Sequence, residues 1–386
     1  MRLAIVGGAL QGMEAVYLSK RAGYETVVVD RKPYAPALAL ADEAYVADPV
    51  KDPDAAMRIF ADCDAVIPAC EELDLLRLLD SKLKGTGIPL LFDMKSYETS
   101  CSKERSNLLM EKAGVPLPKP WPECGFPVIV KPSCQSGSIG VTAARDEEER
   151  QAGLRRVAEL KDVPIVQEFV SGKSISIEAI GNGEKARAFV TTEVVLDRKY
   201  DCKMVRCNPN IISAEEDAMF RDVCRKTAEM MHLKALMDME AIDTPKGLRV
   251  LEIDARIPSQ TPAAIEAGSS INLLKELVDC AMGKVSSGKD SRRAGVYEHY
   301  VFKDGVLSTS GEKEFGHIRN PRICEGLFGS DRMITDYEPG KKEWHATVIT
   351  DGRDEAEADR KRLAVRERMI SESGAKIYDD GSPELV

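Results

Sequence analysis

The stretch VLEIDARIPSQTP, residues 250–262, alternates charged and apolar side chains in a pattern typical of a β-strand. Glu252, Asp254 and Arg256 occupy every second position, and apolar residues stand between them. Because successive side chains of a strand point to opposite faces, this spacing places two carboxylates and a guanidinium on one face. A face of this composition needs solvent or a ligand to compensate its charges.

A second strand pattern, LMDMEAI, precedes this stretch, and the segment DTPKG separates the two. Two strand patterns joined by a short segment that contains Pro and Gly predict a β-hairpin, which we centre on Lys246. Like charges that face each other directly across two strands repel. The predicted facing pairs are Glu240 with Glu252 and Asp238 with Asp254.

The acidic hairpin has two interpretations. It is either a solvated edge of the protein or a site where a divalent cation lies between the carboxylates. Hard oxygen ligands of this kind suit Mg²⁺, which proteins usually bind together with the phosphate groups of a substrate. The spacing alone leaves both interpretations open, because a slip of one residue would remove the pairing.

A second feature favours phosphate binding. KPSCQSGSIGV, residues 131–141, follows the apolar strand PVIV with a lysine and a loop of small residues that includes Gly137 and Gly140. Glycine lets backbone N–H groups approach phosphate oxygens, and the lysine supplies positive charge. The Walker A pattern GxxxxGK[ST] is absent here, so the loop taken alone is more typical of a simple turn than of a phosphate site.

Composition limits the class of protein. The chain has 386 residues, 43% of them hydrophobic, which is enough for a sizeable core and for two or three domains. Its net charge of −10 argues against a nucleic-acid partner. We find neither a signal sequence nor an apolar run long enough to span a membrane, so we expect no membrane association. Ten cysteines without metal spacing predict free thiols in the cytoplasm.

The chain predicts a parallel sheet followed by a mixed α+β region. RLAIVG, a helical pattern and ETVVVD form a βαβ unit, and DAVIPAC and IPLLFD predict two further strands with a helix between them. A helix that stops at Gly114 and a proline-rich connector mark a boundary near residue 95. We therefore divide the chain into residues 1–95, 96–166 and 167–386.

The order of the later features resembles the ATP-grasp superfamily of carboxylate–amine ligases over most of residues 95–290. These features are a lysine on a strand, a glycine-rich loop, a strand ending in QEFV and a carboxylate hairpin with an arginine. The resemblance implies an ATP-grasp fold of the α/β and α+β class with an N-terminal Rossmann-like domain. It implies that residues 96–166 form the small subdomain and that residues 167–386 form the catalytic domain with a C-terminal extension.

The same resemblance implies ATP and Mg²⁺ as cofactors and gives roles to individual residues. Arg256 and Lys131 would be catalytic, with Arg256 facing the reacting carboxylate. Most families of this fold have asparagine where Asp254 stands. The implied ATP-binding residues are Lys103, Lys131, Ser136, Gly137, Ser138, Gln167, Glu168, Phe169 and Val170, and the implied metal ligands are Glu240, Glu252 and Asp254.

A closer resemblance rests on LQGMEAVYLSKRAG, RKYDCKMV, KGLRVLEIDARIPSQTP and YEHYVF. These phrases are similar to the ligases that join (3R)-3-methyl-D-ornithine to the ε-amine of L-lysine in pyrrolysine biosynthesis. The implied substrates are therefore L-lysine and 3-methyl-D-ornithine, or D-ornithine, and the superfamily commonly forms homodimers. Glu71 and Asp201 are both candidates for the base that deprotonates the lysine amine. The implied substrate-binding residues are Leu10, Gln11, Glu71, Glu178, Asp201, Arg256 and Ser259.

Two other functions remain open from the sequence. GGALQG with Asp30 resembles a dinucleotide fingerprint, which favours an NAD-dependent oxidoreductase, although Ala9 stands where the middle glycine belongs. Alternatively, this loop only packs the first helix onto the sheet. A non-catalytic nucleotide-binding sensor would also keep the fold, but the intact lysines and carboxylates favour an enzyme.

Overall fold

The computed structural model describes residues 1–383 except Ser136, Ser138 and residues 285–291. Its strands are β1 (Arg2–Val6), β2 (Glu25–Asp30), β3 (Glu43–Val46), β4 (Ala65–Pro68), β5 (Val128–Pro132), β6 (Thr142–Ala144), β7 (Pro164–Glu168), β8 (Lys173–Gly181), β9 (Ala186–Ala188), β10 (Thr192–Leu196), β11 (Cys202–Cys207), β12 (Leu236–Asp243), β13 (Arg249–Asp254), β14 (Ala294–Lys303), β15 (Val306–Thr309), β16 (Arg322–Cys324), β17 (Arg332–Thr335), β18 (Glu343–Gly352) and β19 (Ile377–Asp379).

Helices form where the sequence predicts them, in the first βαβ unit, between DAVIPAC and IPLLFD and before Gly114, and also elsewhere in the described residues. They are α1 (Leu10–Arg21), α2 (Pro53–Phe60), α3 (Leu73–Leu83), α4 (Met94–Ser100), α5 (Lys103–Lys112), α6 (Glu147–Glu159), α7 (Ala214–Met230), α8 (Thr261–Ser269), α9 (Leu273–Ala281), α10 (Glu312–Phe315) and α11 (Glu355–Ser373).

The chain forms two compact units that are not continuous in sequence. The first unit comprises Met1–Met94, Val190–Ile211 and Ile257–Val386, and the second comprises Lys95–Phe189 and Ile212–Arg256. Residues 167–386, which the sequence assigns to one catalytic domain, therefore contribute to both compact units.

The N-terminal part of the first unit is the predicted parallel sheet. Its strand order is β3-β2-β1-β4, and all three pairings are parallel. Its core is built from apolar side chains of these strands, including Val27 and Val66, and of helices α2 and α3, including Phe60 and Leu79. The predicted strand at IPLLFD does not form. Leu90 makes only an isolated bridge to Val66.

The rest of the first unit is a sheet whose pairings are antiparallel except for that of β15 with β19, which is parallel. Strands β10, β11, β14, β18, β17 and β16 are neighbours in that order, and β15 and β19 extend the sheet from β14. Trp344 is fully buried on β18, where its ring stacks on Phe302 at 5.4 Å. Helix α11 covers this core through Val365 and Met369.

The second unit carries two sets of strands. Strands β6, β5 and β7 form a three-stranded antiparallel sheet whose core contains Val128, Val130 and Val157. Strands β13, β12 and β8 are neighbours in a second antiparallel set. This second set contains the acidic hairpin.

Two further expectations from the sequence are free cysteine thiols and the lack of a membrane-spanning helix. All ten cysteines are free thiols, as predicted. Among the helices of the described residues, none combines the length and the apolar character that a membrane span requires.

Gly295 on β14 packs against helix α8 so closely that a side chain has no room. A Cβ atom on Gly295 would lie 2.4 Å from the backbone nitrogen of Gly268. We expect Gly295→Ala to lower the free energy of unfolding by about 1–3 kcal/mol, because rigid backbone would have to move. Chemical denaturation measures this change.

Gly316→Ala is the matched control. Its Cβ would meet no atom closer than 3.4 Å, and its φ of −58° suits any residue. An equal loss of stability in both variants would contradict the role of close helix–strand packing at Gly295.

Candidate functional site

The acidic hairpin has the predicted register. Asp238 lies opposite Asp254, and Glu240 lies opposite Glu252. The register shifts immediately after Glu240, so that Ala241 faces Val250. The shift lies beyond both acidic pairs, which is why a prediction centred on Lys246 succeeds at the pairs and fails near the turn.

A third strand continues the acidic row. On β8, Glu178 lies opposite Asp238, and Ser176 lies opposite Glu240. Glu178, Asp238 and Asp254 therefore occupy matching positions on three neighbouring strands, and Glu178 is fully buried. The cross-strand row could not be read from the hairpin sequence, because it depends on how β8 pairs.

Positively charged side chains compensate these carboxylates. Lys103 Nζ lies 2.8 Å from Glu252 Oε2 and donates to the backbone oxygen of Gln135 at 2.9 Å. The Arg256 guanidinium lies 3.4 Å from Asp238 Oδ1 and 3.3 Å from Asp254 Oδ2. The hairpin face is thus a partly buried cluster of compensated charges and not a solvated acidic edge.

Lys131 lies beside the same cluster. Its side chain is buried, and its Nζ donates to the backbone oxygen of Leu251 at 3.1 Å. Burial lowers the pKa of Lys131, although the Glu252 carboxylate acts in the opposite direction. A buried ammonium with one backbone acceptor retains donors for an anionic ligand.

The two central carboxylates of the cluster differ in charge state. Burial, together with the nearby Glu252 and Asp254, raises the pKa of Glu240 to about 8. Burial acts on Glu252 as well, but Lys103 and Lys131 outweigh it and hold the pKa of Glu252 below its ordinary value. Glu252 is therefore the ionised member of this facing pair at neutral pH, and Glu240 is protonated without a further cation.

Serine hydroxyls place Lys103. Ser102 caps helix α5 by accepting from the Arg105 backbone N–H at 3.4 Å, and its Oγ lies 3.3 Å from Ser133 Oγ. The Lys103 N–H donates to the Ser133 backbone oxygen at 2.9 Å. The start of α5 is thereby tied to the segment that follows Lys131. A serine directly before a helix, such as Ser102, is a sequence signal for an N-cap. No sequence signal indicated that Ser133 would be its partner.

The donor chemistry at the hairpin fits Mg²⁺. Within the part of the chain that the structure describes, no three His, Cys, Asp or Glu side chains converge as a ready metal cage. Mg²⁺ that is bound together with substrate phosphates needs only one or two protein carboxylates. Glu240 and Glu252 supply hard oxygen donors on facing strands.

The predicted adenine-binding segment leaves the end of β7. The Glu168 N–H donates to the backbone oxygen of Lys119 at 2.8 Å, and Glu168 Oε2 accepts from the Lys119 N–H at 3.2 Å. The Phe169 N–H donates to the oxygen of Pro127 at 3.1 Å. Gln167 is buried in the strand, whereas Phe169 is partly exposed. Of the predicted phosphate-loop residues, Gly137 has a φ of +60°, and Ser136 and Ser138 lie outside the described residues.

In the first unit, the start of helix α1 meets the loop after β4. Gln11 Nε2 donates to Glu71 Oε1 at 3.4 Å, so the structure brings these two predicted substrate residues together. Helix α1 begins at Leu10, and no side chain of the described residues caps its first turn. The first N–H groups of α1 therefore remain available to an acceptor.

The other two predicted substrate residues of this unit converge on helix α10. Asp201 Oδ2 accepts from the Lys313 N–H at 2.9 Å, and Ser259 Oγ donates to Glu312 Oε2 at 2.9 Å. Burial raises the pKa of Asp201. Glu312 and Lys313 lie in a region where the sequence showed no motif, so only the fold connects them to the site.

The glycine-rich loop of the N-terminal domain borders a cavity of about 380 Å³. Asp30 Oδ2 accepts from the Gly8 N–H at 2.6 Å, and its Oδ1 accepts from the Lys32 N–H at 2.7 Å. Asp30 thus holds together two loops that line this cavity.

Two ranges of the chain match known domain families. Residues 102–260 match the ATP-grasp domain family, and residues 3–91 match the PylC-like, N-terminal domain family. The chain is 37% identical over 316 residues to the 3-methyl-D-ornithine–L-lysine ligase of Methanosarcina acetivorans, which covers 81% of this chain and 83% of the relative. The ligase of the same name from Methanosarcina barkeri is 37% identical over 314 residues, with 81% and 83% covered.

A solved structure supports the predicted fold. The biotin carboxylase domain of Hydrogenobacter thermophilus 2-oxoglutarate carboxylase, a dimer in complex with MgADP, ADP and bicarbonate, superposes with a TM-score of 0.71. The match covers 94% of this chain and 89% of that chain at 18% identity, so it concerns the fold alone. The ATP-grasp fold with a parallel N-terminal sheet is confirmed.

The ion pair between Lys103 and Glu252 is expected to stabilise the free protein. Lys103→Met keeps most of the side-chain volume but removes the charge, so it leaves Glu252 without its closest cation. We expect a loss of about 1.5–3 kcal/mol in the free energy of unfolding, the range for hydrogen bonds to charged groups. Urea denaturation in the absence of nucleotide measures it.

Lys246→Met at the exposed hairpin turn provides the comparison, with an expected change of less than about 0.5 kcal/mol. If Lys103→Met were as stable as Lys246→Met, the pair with Glu252 would contribute nothing to the fold.

Proposed function

The chain belongs to the ATP-grasp family of 3-methyl-D-ornithine–L-lysine ligases, and we propose that it joins the carboxylate of 3-methyl-D-ornithine to the ε-amine of L-lysine. The proposed reaction converts ATP to ADP and phosphate and serves pyrrolysine biosynthesis. The observation that carries the proposal is the facing pair Glu240 and Glu252 with Lys103, Lys131 and Arg256 beside it. This combination provides cation ligands and phosphate-binding charges in one cluster.

Lys103 and Lys131 are the proposed phosphate-binding groups, and Glu240 and Glu252 are the proposed Mg²⁺ ligands. Asp254 has a smaller part, because it already pairs with Arg256. When bound, Mg²⁺ supplies positive charge that neutralises the phosphates of ATP. The protein groups contribute position and charge, which is what phosphoryl transfer requires. Backbone groups of Gln167 to Val170 would bind adenine.

The chemistry proceeds through an acyl phosphate. A carboxylate oxygen of the ornithine substrate attacks the γ-phosphorus of ATP, and ADP leaves. The unprotonated ε-amine of lysine then attacks the acyl carbon, and phosphate leaves as the amide forms. Arg256 presents a planar guanidinium that matches carboxylate and phosphate oxygens, and it would stabilise the oxyanion.

The first unit is proposed to bind lysine. Glu71 offers a carboxylate to an ammonium group, and Gln11 beside it offers a neutral hydrogen-bonding group. Glu71 and Asp201 are the proposed acceptors for the proton that the amine must lose before it attacks. Glu178, buried in the acidic row, is proposed to contact an amino group of the ornithine substrate.

The alternative functions receive no support. Neither the two ligases nor the biotin carboxylase domain is an oxidoreductase. An NAD-dependent reaction would also leave the acidic hairpin and its lysines without a function. A cytoplasmic location is consistent with ten free thiols. Dimer formation remains a prediction, since the dimeric biotin carboxylase domain is similar only in fold.

Turnover should require both amino acids and should release ADP and phosphate in equal amounts. The physical reason is that the lysine and carboxylate cluster binds the terminal phosphates, where phosphoryl transfer would take place. Chromatography of reactions that lack each component in turn tests this expectation. Formation of AMP and pyrophosphate would refute the acyl-phosphate mechanism, and turnover without lysine would refute the proposed acceptor.

Glu71→Gln should raise the KM for lysine while leaving the KM for ATP nearly unchanged. A buried or half-buried charge pair lost on substitution corresponds to about a tenfold or larger effect. Steady-state kinetics with each substrate varied separately measures it. Asp74→Asn, an exposed substitution three residues along the chain, is the control. Equal rises in both KM values for Glu71→Gln would place the lysine site elsewhere.

A further inference from the structure

Gln260, in the motif that follows Arg256, has an unusual backbone conformation. Its φ is +73° and its ψ is −55°. The Thr261 N–H donates to the Ser259 backbone oxygen at 2.9 Å, which closes a three-residue γ-turn around Gln260. This form of the γ-turn is rare and strained, and a non-glycine residue keeps it only where surrounding contacts impose it.

A buried carboxyl group on helix α1 imposes part of this conformation. Glu14 is 1% exposed, and its Oε2 accepts from the Gln260 backbone N–H. Its Oε1 accepts from the Tyr297 hydroxyl on β14. Both carboxyl oxygens are therefore committed inside the first unit, and one of them holds the strained residue.

The side chain of Gln260 is also held. Gln260 Nε2 donates to the backbone oxygen of Cys202 at 3.1 Å and lies 2.9 Å from His299 Nε2. Burial lowers the pKa of His299 to about 3, so its ring is neutral. Since the amide donates to Nε2, the other ring nitrogen carries the proton and donates to Thr347 Oγ1 at 2.8 Å.

The turn at Gln260 is linked to two segments, the residue before it and the start of helix α1. Ser259, the residue before Gln260, donates to Glu312 Oε2 at 2.9 Å. Glu14 lies one helical turn after Leu10 and Gln11, the start of helix α1. One carboxyl group thus connects two segments that contain proposed substrate-binding residues.

We propose that Glu14 is a positioning residue for the ligation, which holds Gln260 in its γ-turn and so fixes Ser259 relative to Gln11. This inference rests on the proposed function, because Ser259 and Gln11 matter only if this unit binds the amine substrate. Glu14 itself contacts neither substrate nor cofactor in this role. The alternative is that Glu14 only packs α1 onto β14 and affects nothing but stability.

The charge state of Glu14 suggests a conservative variant. Burial raises the pKa of Glu14 to about 8, while the bonds from Tyr297 and Gln260 act in the opposite direction. The group is therefore largely protonated at neutral pH, and in that form Oε1 donates the bond to the Tyr297 oxygen instead of accepting it. Glu14→Gln replaces it by a neutral group of the same shape, whose oxygen can accept from the Gln260 N–H while its amide donates to the Tyr297 oxygen.

The test compares Glu14→Ala, Glu14→Gln and Tyr17→Phe in the full-length protein. Tyr17→Phe is the matched control, because Tyr17 lies on the same helix and its hydroxyl donates to Glu266 at 3.3 Å and not to Gln260. We expect Glu14→Ala to raise the KM for lysine by about tenfold and that for ATP by less than about twofold. Glu14→Gln should have a lysine KM close to that of the wild type. Tyr17→Phe should lower the melting temperature without changing the KM for lysine.

Hydrogen exchange provides a readout that does not depend on the substrates. In peptides that cover residues 257–264, Glu14→Ala should accelerate exchange of the Gln260 amide, and Tyr17→Phe should not. If wild-type protein failed to ligate lysine, the proposed function would fall while this measurement still tested the turn. Unchanged exchange and an unchanged lysine KM in folded Glu14→Ala would overturn the positioning role.

A failure of Glu14→Ala to fold would not end the test. Tyr297→Phe keeps the aromatic ring and removes one of the two bonds to Glu14. The same pattern, with faster exchange at Gln260 and a selective rise in the lysine KM, is expected there at smaller size. A lower melting temperature with neither change would assign Glu14 to packing alone.

Discussion

The repulsion between like charges on facing strands is the constraint on which the second unit depends. Glu240 and Glu252 are opposed on β12 and β13, and Asp238 and Asp254 are opposed one step further along. A buried charge is tolerated only when it is paired or neutralised. Lys103 pairs with Glu252, Arg256 bridges the aspartates, and a raised pKa neutralises Glu240.

Hydrogen bonds hold the elements around the hairpin in the positions that this charge pairing requires. Lys103 reaches Glu252 because the start of α5 is fastened to Ser133. The end of β13 is fixed by the Ala255 N–H, which donates to Ser100 Oγ at 3.0 Å. Side chains that are already held in place lose little conformational entropy when phosphates and a cation bind.

In the first unit, buried polar groups stabilise a strained backbone turn and not a pair of like charges. There, a strained turn at Gln260 is held by one buried carboxyl group and by a chain of neutral hydrogen bonds through His299 and Thr347. Buried polar networks with every member satisfied are rigid and specify one arrangement. The two units thus place their proposed functional groups through buried polar contacts and not through surface loops alone.

The sequence by itself determined the parallel sheet, several helices and the facing carboxylate pairs, because these depend on periods of two and 3.6 residues and on short turns. It also determined the ATP-grasp resemblance and the lysines that belong to it. Only the tertiary structure decided that Glu178 joins the acidic row, that Lys103 neutralises Glu252, and that Glu14 holds Gln260, since each joins residues distant in the chain. Local periodicity contains no information about which distant partners compensate a buried charge, so those contacts follow from packing alone.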